Sequence, residues 1–320
     1  MQTKDFFTLL PKTKGNFSIN HKVKISLWGS CFAEHMEPNF AKGGFHVNSN
    51  PFGVIFNSRS LRTLFSLIDS EKEISFEHTV EKDGMWTSWL FHSSFSHKSQ
   101  AELLNMSNEL FNCLKRDYIE NTHTFIISLG TAWIYKLKEL DIVVANCHKQ
   151  KKEMFRKKLL TTEEIQEDLE TIVEVIRKLN PENKIIFTLS PVRHIKDGFV
   201  ENNRSKARLT EAILSAVSNK ESTCYFESYE LMMDQLRDYR FYEKDLLHPN
   251  DTARQIIWQH FGQKYFEQSC LNASKSARKY YDFKDHRLLN KTRENIKNRE
   301  SQLLVMREMI LLEHPNIKLV

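Results

Sequence analysis

The stretch KISLWGSCFAEHM, residues 24–36, carries the reading on which the fold turns. An apolar run of strand length stops at Gly29, Ser30 and Cys31 follow side by side, and a helical pattern continues to about residue 42. The same alternation recurs along the chain. Apolar runs VKISLW (23–28), FHV (45–47), TFIISL (124–129), KIIFTL (184–189) and TCYF (223–226) are separated by helical patterns at about 31–42, 58–69, 98–119, 162–179, 203–218 and 250–267. Runs that are continuously apolar are buried on both faces, as in a parallel sheet. Strands alternating with helices predict an α/β layered fold of βαβ units.

A chain of 320 residues with 40% hydrophobic content has enough apolar surface for a large core. Nowhere do about 18 apolar residues follow one another, so no membrane span is expected. The first residues, MQTKDFFTLLPKTKGNF, place lysines among the apolar positions and lack the uninterrupted core of a signal peptide, which predicts a cytoplasmic protein. The five cysteines, at 31, 113, 147, 224 and 270, are odd in number, scattered and without a C-x-x-C pair, so they are read as reduced thiols. Cys31, His35, Cys147 and His148 are metal-ligand types at no recognisable zinc spacing, and neither a metal nor another cofactor is expected.

Charge divides the chain. Residues 271–320 hold 11 Lys+Arg against 6 Asp+Glu, an excess equal to the +5 of the whole protein, so residues 1–270 are balanced. The organisation expected is therefore a domain over 1–270 with an insertion around 70–100, followed by a basic, mostly helical extension over 271–320. HRLLNKTRENIKNRESQLLVMREMILL (286–312) reads as one long amphipathic helix, a surface for self-association or a partner. A net charge of +5 over 50 residues, with aromatics largely confined to Tyr280, Tyr281 and Phe283, is too dilute for a nucleic-acid surface.

In such a fold ligands bind beyond the carboxyl ends of the strands. Those ends carry Gly29, Ser30 and Cys31, then Gly130-Thr131, then Ser190-Pro191-Val192-Arg193-His194, and further on the segment EKDLLHPN. Asp245 and His248 stand three apart, and Pro249 suits the first turn of a helix, which puts His248 at a cap position with Asp245 in reach of its ring. A serine needs an adjacent imidazole as base and a carboxylate to hold that imidazole. Ser30, Asp245 and His248 are accordingly the candidate catalytic set. The N–H groups of the first helical turn beside Ser30 are candidate oxyanion donors. Cys31 is the rival nucleophile, since a thiol at a helix N-terminus can ionise more readily; position favours Ser30. A helix N-terminus disfavours an imidazolium at His248 whereas Asp245 favours it.

GSCFAEHM, NPFGVIFN, SLGTAWIY, VVANCHK, SPVRHIKDGFVENNRSKARL and DLLHPN, in this order between about residues 23 and 265, resemble the GSCFA-domain family, placed within the SGNH/GDSL hydrolase superfamily. The resemblance implies a flavodoxin-like three-layer α/β/α sandwich with a central parallel sheet, with Ser30 in the place of the superfamily's GDS nucleophile and Asp245 and His248 in its D-x-x-H. It also implies an oxyanion role for the Gly53 N–H. One departure stands out: the superfamily's G-x-N-D block reads Gly130-Thr131-Ala132-Trp133, so Ala132 replaces the asparagine that donates to the oxyanion. Asn146 and His148 are the candidate substitutes, with Asn57 behind them.

The expected activity is serine-dependent cleavage of a small acyl ester, such as acetyl, from a carbohydrate-like or other hydroxylated small molecule. Acyl transfer by the same triad, or a non-catalytic binding module on the same fold, are the alternatives. Gly130, Thr131, Arg193, His194, His92 and Asn57 are the candidate substrate-binding residues. The tryptophans of MWTSWLFHSSFSH (85–97) are expected to pack in a small subsidiary core, leaving His92 for a pocket.

Overall fold

The protein is described by a computed structural model covering all residues except 1–7, 71, 219, 287–291 and 320. In chain order the strands are β1 (Lys24–Gly29), β2 (Val47–Ser49), β3 (Thr79–Lys82), β4 (Met85–Ser88), β5 (Ser96–His97), β6 (His123–Leu129), β7 (Trp133–Leu137), β8 (Ile142–Val144), β9 (Phe155–Leu159), β10 (Lys184–Leu189) and β11 (Thr223–Phe226). The helices are α1 (Cys31–Lys42), α2 (Ser58–Asp69), α3 (Gln100–Glu120), α4 (Thr162–Leu179), α5 (Phe199–Val217), the single turn α6 (Ser228–Glu230), α7 (Asp251–Tyr265), α8 (Gln268–Asp285) and α9 (Arg293–Glu313).

The five apolar runs become one parallel sheet in the order β11-β10-β6-β1-β2. Numbered along the chain within this sheet the order is 2-1-3-4-5, the flavodoxin-like arrangement, and its switch point lies between β1 and β6. All seven residues of β6 are buried, as continuous apolarity requires. Side-chain alternation then divides the interior into two layers. Ile25, Leu27, Ile126 and Ile186 pack with Phe32, Met36 and Phe40 of α1 and with Ile257, Trp258 and Phe261 of α7. Trp28, Phe125, Ile127, Ile185 and Phe187 pack with the apolar faces of α2, α3, α4 and α5. The result is a three-layer α/β/α sandwich with C-terminal helices.

Three local expectations are corrected. Two small antiparallel sheets, β3-β4-β5 and β8-β7-β9, occupy stretches in which no strand was read. The β9 segment FRKKL exposes three of its five residues, so it presents no apolar run to detect. In the tail, α9 occupies most of the expected 286–312 helix, of which 287–291 lie outside the described residues, and a further helix, α8, precedes it with a small-residue face of Ala273, Ser274 and Ala277 that the charge pattern conceals. The helix after DLLHPN begins two residues later than Pro249 in its first turn would place it. Asn250 is its N-cap, taking the Ala253 N–H, so Pro249 and His248 precede the cap.

The β1–α1 turn is built on close backbone approach. Gly29 has φ +113°, and a Cβ on it would stand 2.1 Å from the Ser128 carbonyl oxygen, which is main chain and cannot yield. Gly29→Ala is therefore expected to destabilise the protein by about 2 kcal/mol or more, seen as a lower urea midpoint at unchanged slope. A midpoint within error of wild type would show that β1 and β6 separate at no cost.

Candidate active site

The turn that begins α1 gives Ser30 and Cys31 different surroundings. Ser30 is the N-cap and is fully buried. Its N–H donates to the Ser128 carbonyl at 2.9 Å, its Oγ lies 2.8 Å from Ser128 Oγ, and Oγ accepts the Phe32 N–H at 3.3 Å. Its carbonyl takes the Ala33 N–H at 2.9 Å. Ser30 thus ties the helix start to β6, and among its hydrogen bonds there is none to His248. Cys31, the first helical residue, turns its thiol the other way: Sγ lies 3.6 Å from His248 Nε2.

His248 is held from behind. Its Nδ1 lies 2.6 Å from Asp245 Oδ2, while Asp245 Oδ1 accepts the Leu247 and His248 N–H groups at 2.9 and 3.0 Å. Those two backbone bonds, with the imidazole, hold the Asp245 carboxyl down to about 2, so it is ionised at any working pH. The loop is pinned further by Glu243 N–H on the His248 carbonyl and by Arg254 Nη1 on the Pro249 carbonyl. The chain therefore gathers Cys31, His248 and Asp245 in sequence through hydrogen bonds. Ser30, the residue expected in the nucleophile's place, turns its hydroxyl toward β6, because the cap and not the first helical residue points into the sheet.

Burial raises the Cys31 thiol above its ordinary range, with the Glu34 charge adding, while its own and the Phe32 N–H groups and Lys206 pull the other way. The resting sulfur keeps its proton. Lys206, on α5, is buried, donates to the Ser190 carbonyl at 2.8 Å, and is pushed by desolvation down to about 7. Asn202 and Ser205 flank it on the same buried helix face: Asn202 takes the His194 N–H and Ser205 Oγ the Ala132 N–H. These three explain much of SPVRHIKDGFVENNRSKARL, whose α5 portion sequence reading left without roles. Their signal was polar residues at positions i, i+3 and i+4 on a helix whose other residues at that spacing are core.

The expected oxyanion donors are mostly engaged. The Gly53 N–H closes a turn on the Asn50 carbonyl at 2.7 Å, and its φ of +77° with His92 packed against it explains the glycine. His148 is a buried tie, with Nδ1 2.9 Å from Ser93 Oγ and Nε2 2.9 Å from the Ser88 carbonyl. Asn146 Oδ1 takes the His148 N–H, and Asn57 caps α2 through the Ser60 N–H. His92 bonds Ser94 within the insertion. The N–H groups of Gly130 and Thr131 both go to the Phe56 carbonyl. The donors of Gly53, Gly130, Thr131 and His148 are thus engaged, whereas Asn146 and Asn57 accept through Oδ1 and keep their Nδ2 amides to offer.

Two further donors stand out. The Cys31 N–H, at the first helical position, has no carbonyl of its own helix to meet and acts on its own sulfur. His194 Nε2 is buried without a partner and lies 2.9 Å from where a Gly130 side chain would begin, its ring edge-on to Phe56 at 5.0 Å between centroids. Desolvation, helped by Lys206 and His248, lowers it to about 4, which leaves a neutral imidazole at pH 7. His35, one turn beyond Cys31, sets its ring across that of His248 at 6.0 Å.

Among known proteins, the model of the GSCFA family matches residues 24–261. No curated protein matches the sequence. One similar solved structure is a carbohydrate esterase family 3 protein from Talaromyces cellulolyticus, at 8% identity and a TM-score of 0.33, over 75% of this chain and 94% of that one. Another is an acetyl xylan esterase from the rumen bacterium Butyrivibrio proteoclasticus, at 11% identity and a TM-score of 0.37, over 79% of this chain and 64% of that one. Likenesses so distant say nothing of activity.

Proposed function

The chain belongs to the GSCFA family, and on that premise we propose that it is an acyl hydrolase in which Cys31, not Ser30, is the nucleophile. The single observation that carries this reading is the 3.6 Å contact of Cys31 Sγ with a His248 ring that Asp245 holds from its other nitrogen. Sγ attacks the acyl carbon of a small ester as His248 Nε2 takes its proton. The tetrahedral oxyanion is met by the Cys31 N–H and by His194 Nε2–H. Collapse expels the alcohol, which leaves with the proton held by His248, and an acyl-thioester remains on Cys31. Water then attacks that thioester, His248 takes the water's proton and returns it to the departing sulfur, and the acid is released. Asp245 stabilises the imidazolium in both halves. The substrate class suggested by the superfamily resemblance is a small acyl ester of a hydroxylated compound, carbohydrates included.

Acylation with p-nitrophenyl acetate, acid quenching and peptide mass spectrometry test the assignment. The acetyl group should reside on Cys31 and be lost in His248→Ala. An adduct on Ser30 would return the nucleophile to the serine, and no adduct would favour a binding module on the same fold.

The raised thiol also predicts a pH profile. Because the neutral form is favoured, alkylation of Cys31 by iodoacetamide should be slower at pH 7 than that of free cysteine and should still be climbing at pH 9. A plateau reached below pH 8 would instead reveal a preformed thiolate–imidazolium pair.

A further inference from the structure

Beside the D-x-x-H loop lies a hollow of about 440 Å³ whose wall includes Asp245, Leu246 and Leu247. Its other sides carry two guanidinium groups, Arg193 and Arg237, and an apolar lining that includes Phe199 and Tyr239. Large apolar side chains are left open to solvent here: Phe199 is 61% exposed, Tyr239 73% and Leu246 54%. Neither arginine forms an ion pair among the described residues, although most arginines nearby do so, as Arg204 does with Glu201 and Arg254 with Glu243 and Asp251. Arg193 Nε is buried and without a hydrogen-bond partner. The one carboxylate in the wall, Asp245, already accepts from His248 and two backbone N–H groups.

From these observations we infer that the hollow is a subsite for an organic anion, a carboxylate or phosphate joined to an apolar segment, with the charge on Arg193 and Arg237 and the apolar part against Phe199, Tyr239 and Leu246. Arg193 meets the Tyr229 side chain but leaves its Nε unfilled; a planar guanidinium with a donor to spare matches a carboxylate or phosphate, and the pair outweighs the single, already satisfied carboxylate of the wall. Arg193 adjoins His194 in the chain, so an anion held there reaches toward the groups around Cys31. That this anion is part of the substrate rests on the proposed acyl transfer; that the hollow selects anions does not.

Isothermal titration of the wild-type protein with hexanoate, hexyl phosphate and hexanol measures the selection directly, since none of the three can acylate Cys31. One or both anions should bind at least about tenfold more tightly than hexanol, and Arg237→Gln should remove about tenfold of that advantage. Arg237 is exposed, so its variant keeps the fold; Arg193→Gln should act in the same direction. Tighter binding of hexyl phosphate would mark a phosphate ester, tighter binding of hexanoate a carboxylate. Equal binding of all three, or an anion preference that survives both variants, overturns the subsite. Its place in catalysis is read from esterase rates: kcat/KM for the p-nitrophenyl monoester of glutaric acid, relative to p-nitrophenyl butyrate, should fall about tenfold in Arg237→Gln. If the anions bind yet this ratio is unchanged, the hollow is not a substrate subsite. If neither ester is hydrolysed, the hydrolase reading and the substrate assignment fall together while the titration stands.

Discussion

Cys31→Ala should lower kcat/KM for an activated acetate ester by about 10⁴-fold or more, to the level that binding and oxyanion contacts alone sustain. The size of this loss follows from the absence of any other nucleophile on the imidazole: His248 Nε2 faces Sγ, and the neighbouring serine is turned into the sheet. Ser30→Ala is the necessary companion. It removes a helix cap and leaves Ser128 Oγ without its partner, which should cost about 1–3 kcal/mol of stability. Its folded fraction should nonetheless still be acylated on Cys31. Steady-state rates paired with thermal unfolding separate the two effects. Should Ser30→Ala be the inactive protein and Cys31→Ala an active one, the assignment made here is reversed.

His194→Ala should lower kcat by about 10²- to 10³-fold while leaving KM for the same ester nearly unchanged, the pattern of a donor that acts mainly on the developing oxyanion. The expectation rests on a local exchange. Ala132 is fully buried where an amide would have stood, its N–H is engaged by Ser205, and the space beside Gly130 is entered instead by the His194 ring. His194→Gln, which retains an N–H near the Nε2 position, should recover part of the loss. Equal losses in both variants, accompanied by a matching rise in KM, would mean that the ring positions substrate and does not stabilise charge.

Most of the architecture was legible in the sequence because burial on two faces leaves continuous apolar runs, and five such runs marked the five strands of the main sheet. The small sheets escaped because half-exposed strands such as β9, with three consecutive basic residues between Phe155 and Leu159, show no apolar period and resemble loop. Asp245 and His248 were legible as a pair, since spacing alone brings a carboxylate under an imidazole in a tight loop. The choice between Ser30 and Cys31 was not. It depends on which of two adjacent residues is the cap and which the first helical residue, a shift of one position that rotates the side chain by a large angle; serine's preference for the cap pointed to Ser30 there, and the nucleophile's place was instead given to it by position and by resemblance. His148 and Gly53 were misjudged for a related reason: a donor's availability depends on whether a distant carbonyl has already claimed it. The Ser88 carbonyl holds the first and the Asn50 carbonyl the second.

The far end of α1 is fastened by the last part of the chain. Arg278 reaches the Asn39 side chain, Ser274 Oγ the Gly43 carbonyl, and the Lys318 N–H the Gly44 carbonyl, while Ile310 of α9 and Ile317 and Leu319 of the segment after it pack on α8. During synthesis from the N-terminus, α1 and its thiol are therefore made early and secured late: His248 follows Cys31 by 217 residues, and Ser274, Arg278 and Lys318 come later still. The imidazole that faces the sulfur and the contacts that steady its helix arrive in the same closing stage, so the nascent protein carries an unpaired, proton-bearing thiol until almost the whole chain has emerged.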